Sequence, residues 1–117
     1  MRRLASTVLL LAAALAMPLA QACEDMKIRA RPGLSVNINH VRHGDLMTVF
    51  LTVQQFGKAS MNFAADGIAV VDQHGKRYYP LERRGALAGE LAAAGPQKAE
   101  LVFDLKGDSL ATTLELR

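Results

Sequence analysis

Short stretches in which apolar and polar residues alternate one by one recur along the chain, and this pattern restricts the fold more than any other. Residues 34–39 read LSVNIN, and residues 26–31 (MKIRAR) repeat the alternation. The same period of two returns in 47–54, 101–105 and 112–117. Because successive side chains of a strand point to opposite faces of a sheet, such stretches predict strands with one buried and one exposed face. The pattern therefore predicts a protein built from sheets.

Turn-forming residues separate these stretches. Pro32-Gly33 ends the first stretch, and the polar run His40–Asp45 is expected to close the second. Asp66-Gly67 precedes Ile68–Asp72, whose apolar character predicts a central strand. His74-Gly75 then predicts a two-residue hairpin, because glycine tolerates the positive φ that such a turn requires. The sequence thus predicts short strands joined by tight turns.

The segment 82–96 is the one long region without the alternation. Gly85 and Gly89 oppose a long helix, so we expect a loop with at most one helical turn. The remaining strands number about seven or eight at intervals of about 8 to 12 residues, which is typical of an all-β sandwich or barrel. Phe50 occupies a position where the alternation requires a polar residue. Its side chain is expected to cover a sheet edge, face a partner or pack locally.

The first 22 residues have the three parts of an export signal. Arg2 and Arg3 supply positive charge, and Val8–Ala16 is an apolar run of nine residues. This run is shorter than the roughly 18 consecutive apolar residues that indicate a spanning helix. Pro18 and the small residues of Ala20-Gln21-Ala22 then favour cleavage before residue 23. We expect a signal peptide over 1–22, a mature domain over 23–117, and a periplasmic or extracellular location.

Cys23 is the single cysteine of the chain and lies at the predicted cleavage point. No intramolecular disulfide can therefore form. An odd cysteine in an exported protein suggests a free thiol, an intermolecular pair or lipidation. The sequence before it, LAQAC, is similar to a permissive bacterial lipoprotein signal, in which the cysteine is acylated. Simple cleavage and acylation of Cys23 remain two alternatives, and the second would anchor the domain to a membrane.

From about Leu46 onward, over about three quarters of the mature chain, the sequence resembles a known family. The motifs FLTVQQFG, IAVVDQHGKRYYP, LAGELAAAGP and LVFDL are similar to the immunoglobulin-like domains of bacterial exported proteins and lipoproteins, the telokin-like extracellular domains of unknown function. Asp72, Gly75, Lys76, Tyr78 and the strand 101–105 match that layout residue by residue. The resemblance implies an immunoglobulin-like antiparallel β-sandwich outside the cytoplasm. It brings no catalytic residues with it.

The residues do not assemble a recognisable catalytic set. The mature chain has three serines, none of them in a G-x-S-x-G turn, and it has neither a glycine-rich phosphate loop nor an H-E-x-x-H motif. Asp72 and His74 flank a turn, where a surface hairpin pair is a better interpretation than an acid and base couple. We therefore expect a protein that is not an enzyme.

The charge balance argues against nucleic acid as a partner. The chain carries 14 basic and 11 acidic residues, and loss of Arg2 and Arg3 leaves 12 basic ones and a net charge of +1. Arginines are scattered through the mature chain without interleaved aromatic residues, whereas nucleic-acid-binding domains concentrate basic charge on one face. We expect contact with a membrane only through the signal peptide or a lipid on Cys23.

A copper site is the alternative to a purely binding or structural role. His40, His43 and Met47 lie within eight residues of one another. Imidazole and thioether groups form a soft ligand set that suits copper. A solvated turn for the histidines and a core position for the methionine form the competing interpretation. No other cofactor is expected.

A partner surface is predicted around the hairpin at Tyr78-Tyr79 and the segment that follows it. Neighbouring strand residues point to opposite faces, so one of the two tyrosines should face outward. Arginine and apolar residues of the next segment complete the predicted surface, which consists of Tyr78, Tyr79, Arg83, Arg84, Leu87 and Leu91. The sequence thus predicts an exported, non-catalytic binding or structural module of the bacterial cell envelope, whose partner is another envelope protein. It makes no prediction about oligomeric state.

Overall fold

The computed structural model describes residues 26–117, which form two sheets of four strands each. The strands are β1 (Lys27–Ala30), β2 (Leu34–His43), β3 (Leu46–Gln55), β4 (Ile68–Asp72), β5 (Arg77–Tyr78), β6 (Glu82–Gly85), β7 (Gln97–Asp104) and β8 (Ala111–Leu116). The first sheet has the order β1-β8-β4-β5 and the second the order β2-β3-β7-β6. The prediction of an all-β sandwich with seven or eight short strands is confirmed. The predicted signal peptide and Cys23 lie outside the described residues.

In the first sheet, β1 pairs with β8 in parallel and the other pairs are antiparallel. Strand β4 lies between β8 and β5, and its residues Ile68, Ala69 and Val70 are buried. The apolar run 68–72 is therefore a central strand, as predicted. None of the elements formed by residues 26–117 is a helix long and apolar enough to cross a membrane.

The second sheet begins with a long hairpin. Its two strands pair without interruption from Leu34 opposite Gln55 to His43 opposite Leu46. Only Gly44-Asp45 connects them, and Gly44 has a φ of 61°, which suits the first central position of a type II′ turn. The prediction that the run 40–45 closes the strand is wrong. The strand continues to His43 because Arg42 is held on the inner side by backbone carbonyls of another connection.

The core lies between the two sheets and is built from alternate residues of the strands. Strand β3 buries four apolar side chains and Gln55, whereas Thr48, Thr52 and Gln54 point outward, as the period of two requires. The buried apolar residues of the core are Met47, Val49, Leu51, Val53, Phe63, Ile68, Val70, Tyr78, Leu87, Leu91, Ala99, Leu101, Phe103, Leu105, Leu114 and Leu116. Four of these residues, Phe63, Leu87, Leu91 and Leu105, lie in three of the connections between strands and complete the core.

The segment 82–96 differs from the expectation in its first part. Residues Glu82–Gly85 form β6, which pairs antiparallel with β7. The rest of the segment has no helical turn, and Leu91 makes an isolated bridge with Met61. The polar sequence ERRG shows no alternation because β6 is an edge strand and buries little. Residues 61–63 take part in a sheet-like pairing only through that single bridge.

The connection between β4 and β5 is one residue longer than predicted. The Gly75 N–H donates to the Asp72 carbonyl over 3.0 Å, and the Asp72 N–H donates to the Lys76 carbonyl over 3.0 Å. Gly75 has a φ of 83°, so the prediction of a positive φ at this glycine is confirmed. The loop between the paired residues is therefore 73–75, a turn closed by a left-handed glycine.

Candidate functional site

Three of the arginines that could have formed a basic patch, Arg31, Arg42 and Arg83, bind backbone carbonyls of the same chain. Arg42 donates to the carbonyls of Gly44 (2.8 Å), Gly107 (3.2 Å) and Ser109, and so joins the β2–β3 turn to the β7–β8 connection. Arg83 donates to the Ala64 carbonyl over 2.7 Å and to the Phe63 carbonyl over 3.1 Å. Because these guanidinium groups fasten connections to the sheets, their first role is structural.

Arg77 and Glu115 form a two-pronged ion pair on the outer face of the first sheet. Arg77 Nε lies 3.0 Å from Glu115 Oε1, and one terminal nitrogen lies 3.2 Å from Oε2. The hydrogen bonds from Arg77 lower the pKa of Glu115 although burial acts in the opposite direction. The same carboxylate raises the pKa of Arg77. This pair stabilises the charged form of a carboxylate that is almost completely buried.

Asp72 is occupied by the turn that follows it. Its Oδ1 accepts the N–H groups of His74 and Lys76, each over 2.9 Å. Burial raises the pKa of Asp72, but these backbone hydrogen bonds and one with Ser109 outweigh it, so the net pKa is lowered. The contact between Asp72 and His74 runs through the histidine backbone, and the carboxylate therefore holds the hairpin.

The residues of the predicted partner surface do not share one exposed face. Tyr78, Leu87 and Leu91 belong to the core. The Tyr78 hydroxyl lies 2.8 Å from Ser109 Oγ, and Arg83 holds the carbonyls described above. Tyr79 remains 46 % exposed and Arg84 lies on the surface, so one tyrosine does face outward. Only these two members of the set are available to a partner.

The two histidines of the predicted copper site are separated by the strand that carries them. His40 and His43 lie three residues apart in β2, so their side chains point to opposite faces of the sheet. Met47 is 2 % exposed and belongs to the core. Among residues 26–117 no three His, Cys, Asp or Glu side chains are grouped closely enough to hold a metal ion. Copper binding by these three residues stays a prediction.

The outer face of the second sheet contains an open recess of about 540 Å³. Phe50 is one of its lining residues and is 42 % exposed, because its neighbours Val49 and Leu51 point into the core. Outward side chains from all four strands of the sheet also line the recess, and they carry amide, hydroxyl and charged groups. These residues are Asn37 and Asn39 from β2, Thr52 from β3, Arg84 from β6, and Lys98 and Glu100 from β7.

The strand register aligns these side chains in a row across the sheet. Asn39 lies opposite Phe50, Phe50 opposite Glu100, and Glu100 opposite Arg84. Arg84 donates to Glu82 over 2.7 Å and to Glu100 over 3.1 Å, which fixes one end of the row. The row therefore offers an amide, an aromatic ring and a pinned ion pair side by side.

Exposed apolar side chains extend this surface toward the β2–β3 turn. Val41 and Leu46 are 46 % and 47 % exposed and lie on the same outer face as Phe50. Val102 is half-buried on the neighbouring strand, opposite Thr48. We call the recess and these residues the Phe50 face. The sequence marks Phe50 through its break in the alternation, whereas its polar neighbours are recognisable only from the pairing of strands.

Comparison of the chain with models of protein families, with curated proteins and with solved structures finds no match.

Proposed function

We propose that this chain is an exported, non-catalytic protein-binding module of the bacterial cell envelope, and that the Phe50 face is its contact surface. The observation that carries the proposal is the exposed Phe50 ring beside a recess of about 540 Å³. Protein interfaces commonly place an aromatic anchor and arginine inside a rim of polar groups. The Phe50 face has this composition.

A macromolecular partner fits this surface better than a small ligand does. The recess opens to solvent on the outside of a sheet, and the apolar side chains of Val41 and Leu46 continue beyond its rim. Small-molecule sites instead enclose most of the ligand surface in a concave pocket. A partner that covers both the recess and its apolar extension would bury the whole Phe50 face.

Crosslinking in living bacterial cells tests the contact surface. A photoreactive amino acid at position 50 should give an adduct with a second protein, because the side chain there projects outward. The matched control is position 110, where Leu110 is 60 % exposed in the β7–β8 connection. Adducts from position 110 together with none from position 50 would contradict the proposal.

The proposed location has its own measurement. Export with cleavage before Cys23 rests on the tripartite leader, which supports either a free or an acylated first residue. The intact mass of the protein isolated from cells should equal that of residues 23–117, with or without the mass of acyl groups. A mass that still contains residues 1–22 would contradict cleavage, whatever the partner.

A further inference from the structure

Among residues 26–117, one complete side of the β2 backbone has no pairing partner. The Phe56 N–H donates to the Gly33 carbonyl over 3.0 Å, so the odd-numbered residues of this register exchange hydrogen bonds with β3. The even-numbered residues, from Leu34 to Arg42, therefore direct their N–H and C=O groups away from the sheet. Within residues 26–117 no backbone group bonds to them. Five alternate residues of β2 thus present a free backbone N–H donor and a free C=O acceptor along an open edge.

The other three edges of the sandwich have the features by which proteins prevent edge pairing. Strand β1 carries Lys27 and Arg29 on its exposed side. Strand β5 has two residues and is followed closely by Pro80, while β6 has four residues and carries Glu82 and Arg84. Short length, charge and proline all discourage the addition of another strand.

Strand β2 lacks these protections. It has ten residues, contains no proline or lysine, and pairs with β3 without a bulge. Its one charged residue, Arg42, is held by carbonyls of other connections. The inner side chains Leu34, Val36 and Ile38 are only half-buried, so a further strand would cover apolar surface as well as satisfy backbone groups.

We propose that two copies of this chain pair antiparallel through their β2 edges, with a twofold axis at Ile38, to form one continuous eight-stranded sheet. In this register Ile38 faces Ile38 of the second copy, Val36 faces His40, and Leu34 faces Arg42. The backbone N–H and C=O groups of all these residues point away from β3 and toward the second copy. The seam would therefore contain about ten N–H···O hydrogen bonds, two for each facing pair.

The strand is complementary to itself, which identifies the occupant as a second copy. Antiparallel pairing places the two Arg42 side chains roughly 26 Å apart, eight residues at about 3.3 Å each, so like charges do not meet. On the outer face Asn37 lies opposite Asn39 of the second copy, where two amide groups can exchange hydrogen bonds. A parallel arrangement would instead place the two arginines side by side.

The dimer concerns the edge of the second sheet and does not depend on the function proposed for its face. A twofold axis perpendicular to the sheet presents both Phe50 faces on the same side. A partner with two binding sites would then bind with increased avidity. Because the dimer forms from the purified chain alone, its failure and the failure of the crosslinking experiment are separate results.

The experiment measures molar mass in solution by sedimentation over about a hundredfold range of concentration. The protein is purified after export, and reductant is present so that Cys23 cannot link two chains. The expected species is a dimer that dissociates on dilution. A monomer at every concentration overturns the proposal.

Charged variants test the register. Asn37 and Asn39 are exposed, so Asn37→Lys with Asn39→Lys should leave the fold intact but place lysines opposite each other across the seam. The dissociation constant should rise about tenfold or more. An equal mixture of this variant with Asn37→Asp plus Asn39→Asp should form a heterodimer, because the facing charges then attract.

The matched control introduces two lysines on the neighbouring strand β3 instead of on the edge strand β2. Thr48→Lys with Gln54→Lys places them on the same outer face but on β3, away from the edge. This control should remain dimeric. Dissociation by the control as strong as that by the edge variant, an unchanged dimer in the edge variant, or no heterodimer in the mixture would each overturn the proposed register.

Discussion

At the scale of single residues, two carboxylates within residues 26–117 are buried, and both are held in their charged form. Asp72 and Glu115 are each 4 % exposed. The Asp72 carboxylate accepts hydrogen bonds from backbone N–H groups of its own turn. The Glu115 carboxylate accepts hydrogen bonds from the guanidinium group of Arg77, a residue 38 positions earlier in the sequence. The structure thus offsets the cost of removing these charges from water by supplying donors to each of them.

The lowered pKa values of these two groups predict how stability depends on pH. The ordinary values are 3.8 for Asp72 and 4.5 for Glu115, and both are lowered in the folded chain. The unfolded chain therefore binds protons at a higher pH than the folded chain does. Their contribution to stability is fully present above the ordinary values and is lost as the pH falls through the folded values.

Glu115→Gln tests this dependence. The variant should lose about 1 kcal/mol of unfolding free energy at neutral pH, a modest value because the solvent-exposed Arg77 is screened. It should also show a shallower loss of stability below about pH 4.5 than the parent chain does. Denaturant unfolding from pH 3 to pH 7 measures both effects.

The control for Glu115→Gln is Asp66→Asn, because Asp66 is an exposed carboxylate in the turn before β4. It should leave the unfolding free energy at neutral pH within about 0.5 kcal/mol of the parent value, because its side chain is exposed. An acid slope for Glu115→Gln identical to that of the parent chain would show that the ion pair with Arg77 contributes nothing to the pH dependence.

Two glycines show when the sequence pattern predicts that a position requires glycine and when it does not. Gly75 lies in a predictable hairpin turn, and its positive φ follows from that turn. Gly85 also has a positive φ, of 72°, but a side chain there would come within 2.5 Å of the Lys98 carbonyl. Only the pairing of β6 with β7 brings that carbonyl close, so local sequence does not reveal the need for glycine at position 85.

At the scale of elements, the segment after β6 is part of the core. Leu87 and Leu91 are 1 % and 0 % exposed, and the Leu91 backbone exchanges hydrogen bonds with Met61 over 2.8 and 2.9 Å. Gln55, at the end of β3, also donates to the Leu91 carbonyl over 2.8 Å. The segment therefore closes one end of the sandwich, and its apolar residues are unavailable to a partner.

Leu91→Ala is expected to destabilise the fold by about 2 to 5 kcal/mol, because it removes a completely buried side chain and leaves a cavity. The volume-conserving Leu91→Met should cost less than about 1.5 kcal/mol. Denaturant unfolding gives both values.

The comparison for Leu91 is Leu110→Ala, since Leu110 is 60 % exposed. That change should alter the unfolding free energy by less than about 0.5 kcal/mol. If Leu91→Ala were as mild as Leu110→Ala, the segment would not contribute to the core, and its earlier interpretation as a partner surface would return.

The elements that the sequence predicts well are those that bury one face. Strands β3, β4, β7 and β8 contain the apolar residues of the core at the positions that alternation or an apolar run indicates. Strand β6 was missed because an edge strand that buries little has no need for alternation. The end of β2 was missed because His40 and Arg42 occupy inner positions that the pattern expects to be apolar.

At the scale of the whole molecule, the outer face of the second sheet and the open edge of β2 adjoin each other. Asn37 and Asn39 lie on both, since they line the recess beside Phe50 and flank the unpaired backbone of β2. A dimer through this edge would therefore enlarge the proposed contact surface. It would leave the ion pair of Arg77 and Glu115 on the opposite side of the sandwich.

The sequence by itself determined which side chains point inward along the regular strands and that the chain folds into β-sheets. These properties are local, because alternation along one strand sets its buried face whatever strand lies beside it. It also singled out Phe50 as an outward aromatic residue.

Only the tertiary structure decided which residues meet. The row from Asn39 through Phe50 and Glu100 to Arg84 depends on three strand pairings, and the one between Phe50 and Glu100 joins residues 50 positions apart in sequence. The structural use of Arg42 and Arg83, and the open edge of β2, likewise follow from the order of strands in the sheets. The physical reason is that hydrogen bonding between strands is the same for almost every side chain, so strand order is selected by the packing of the whole core.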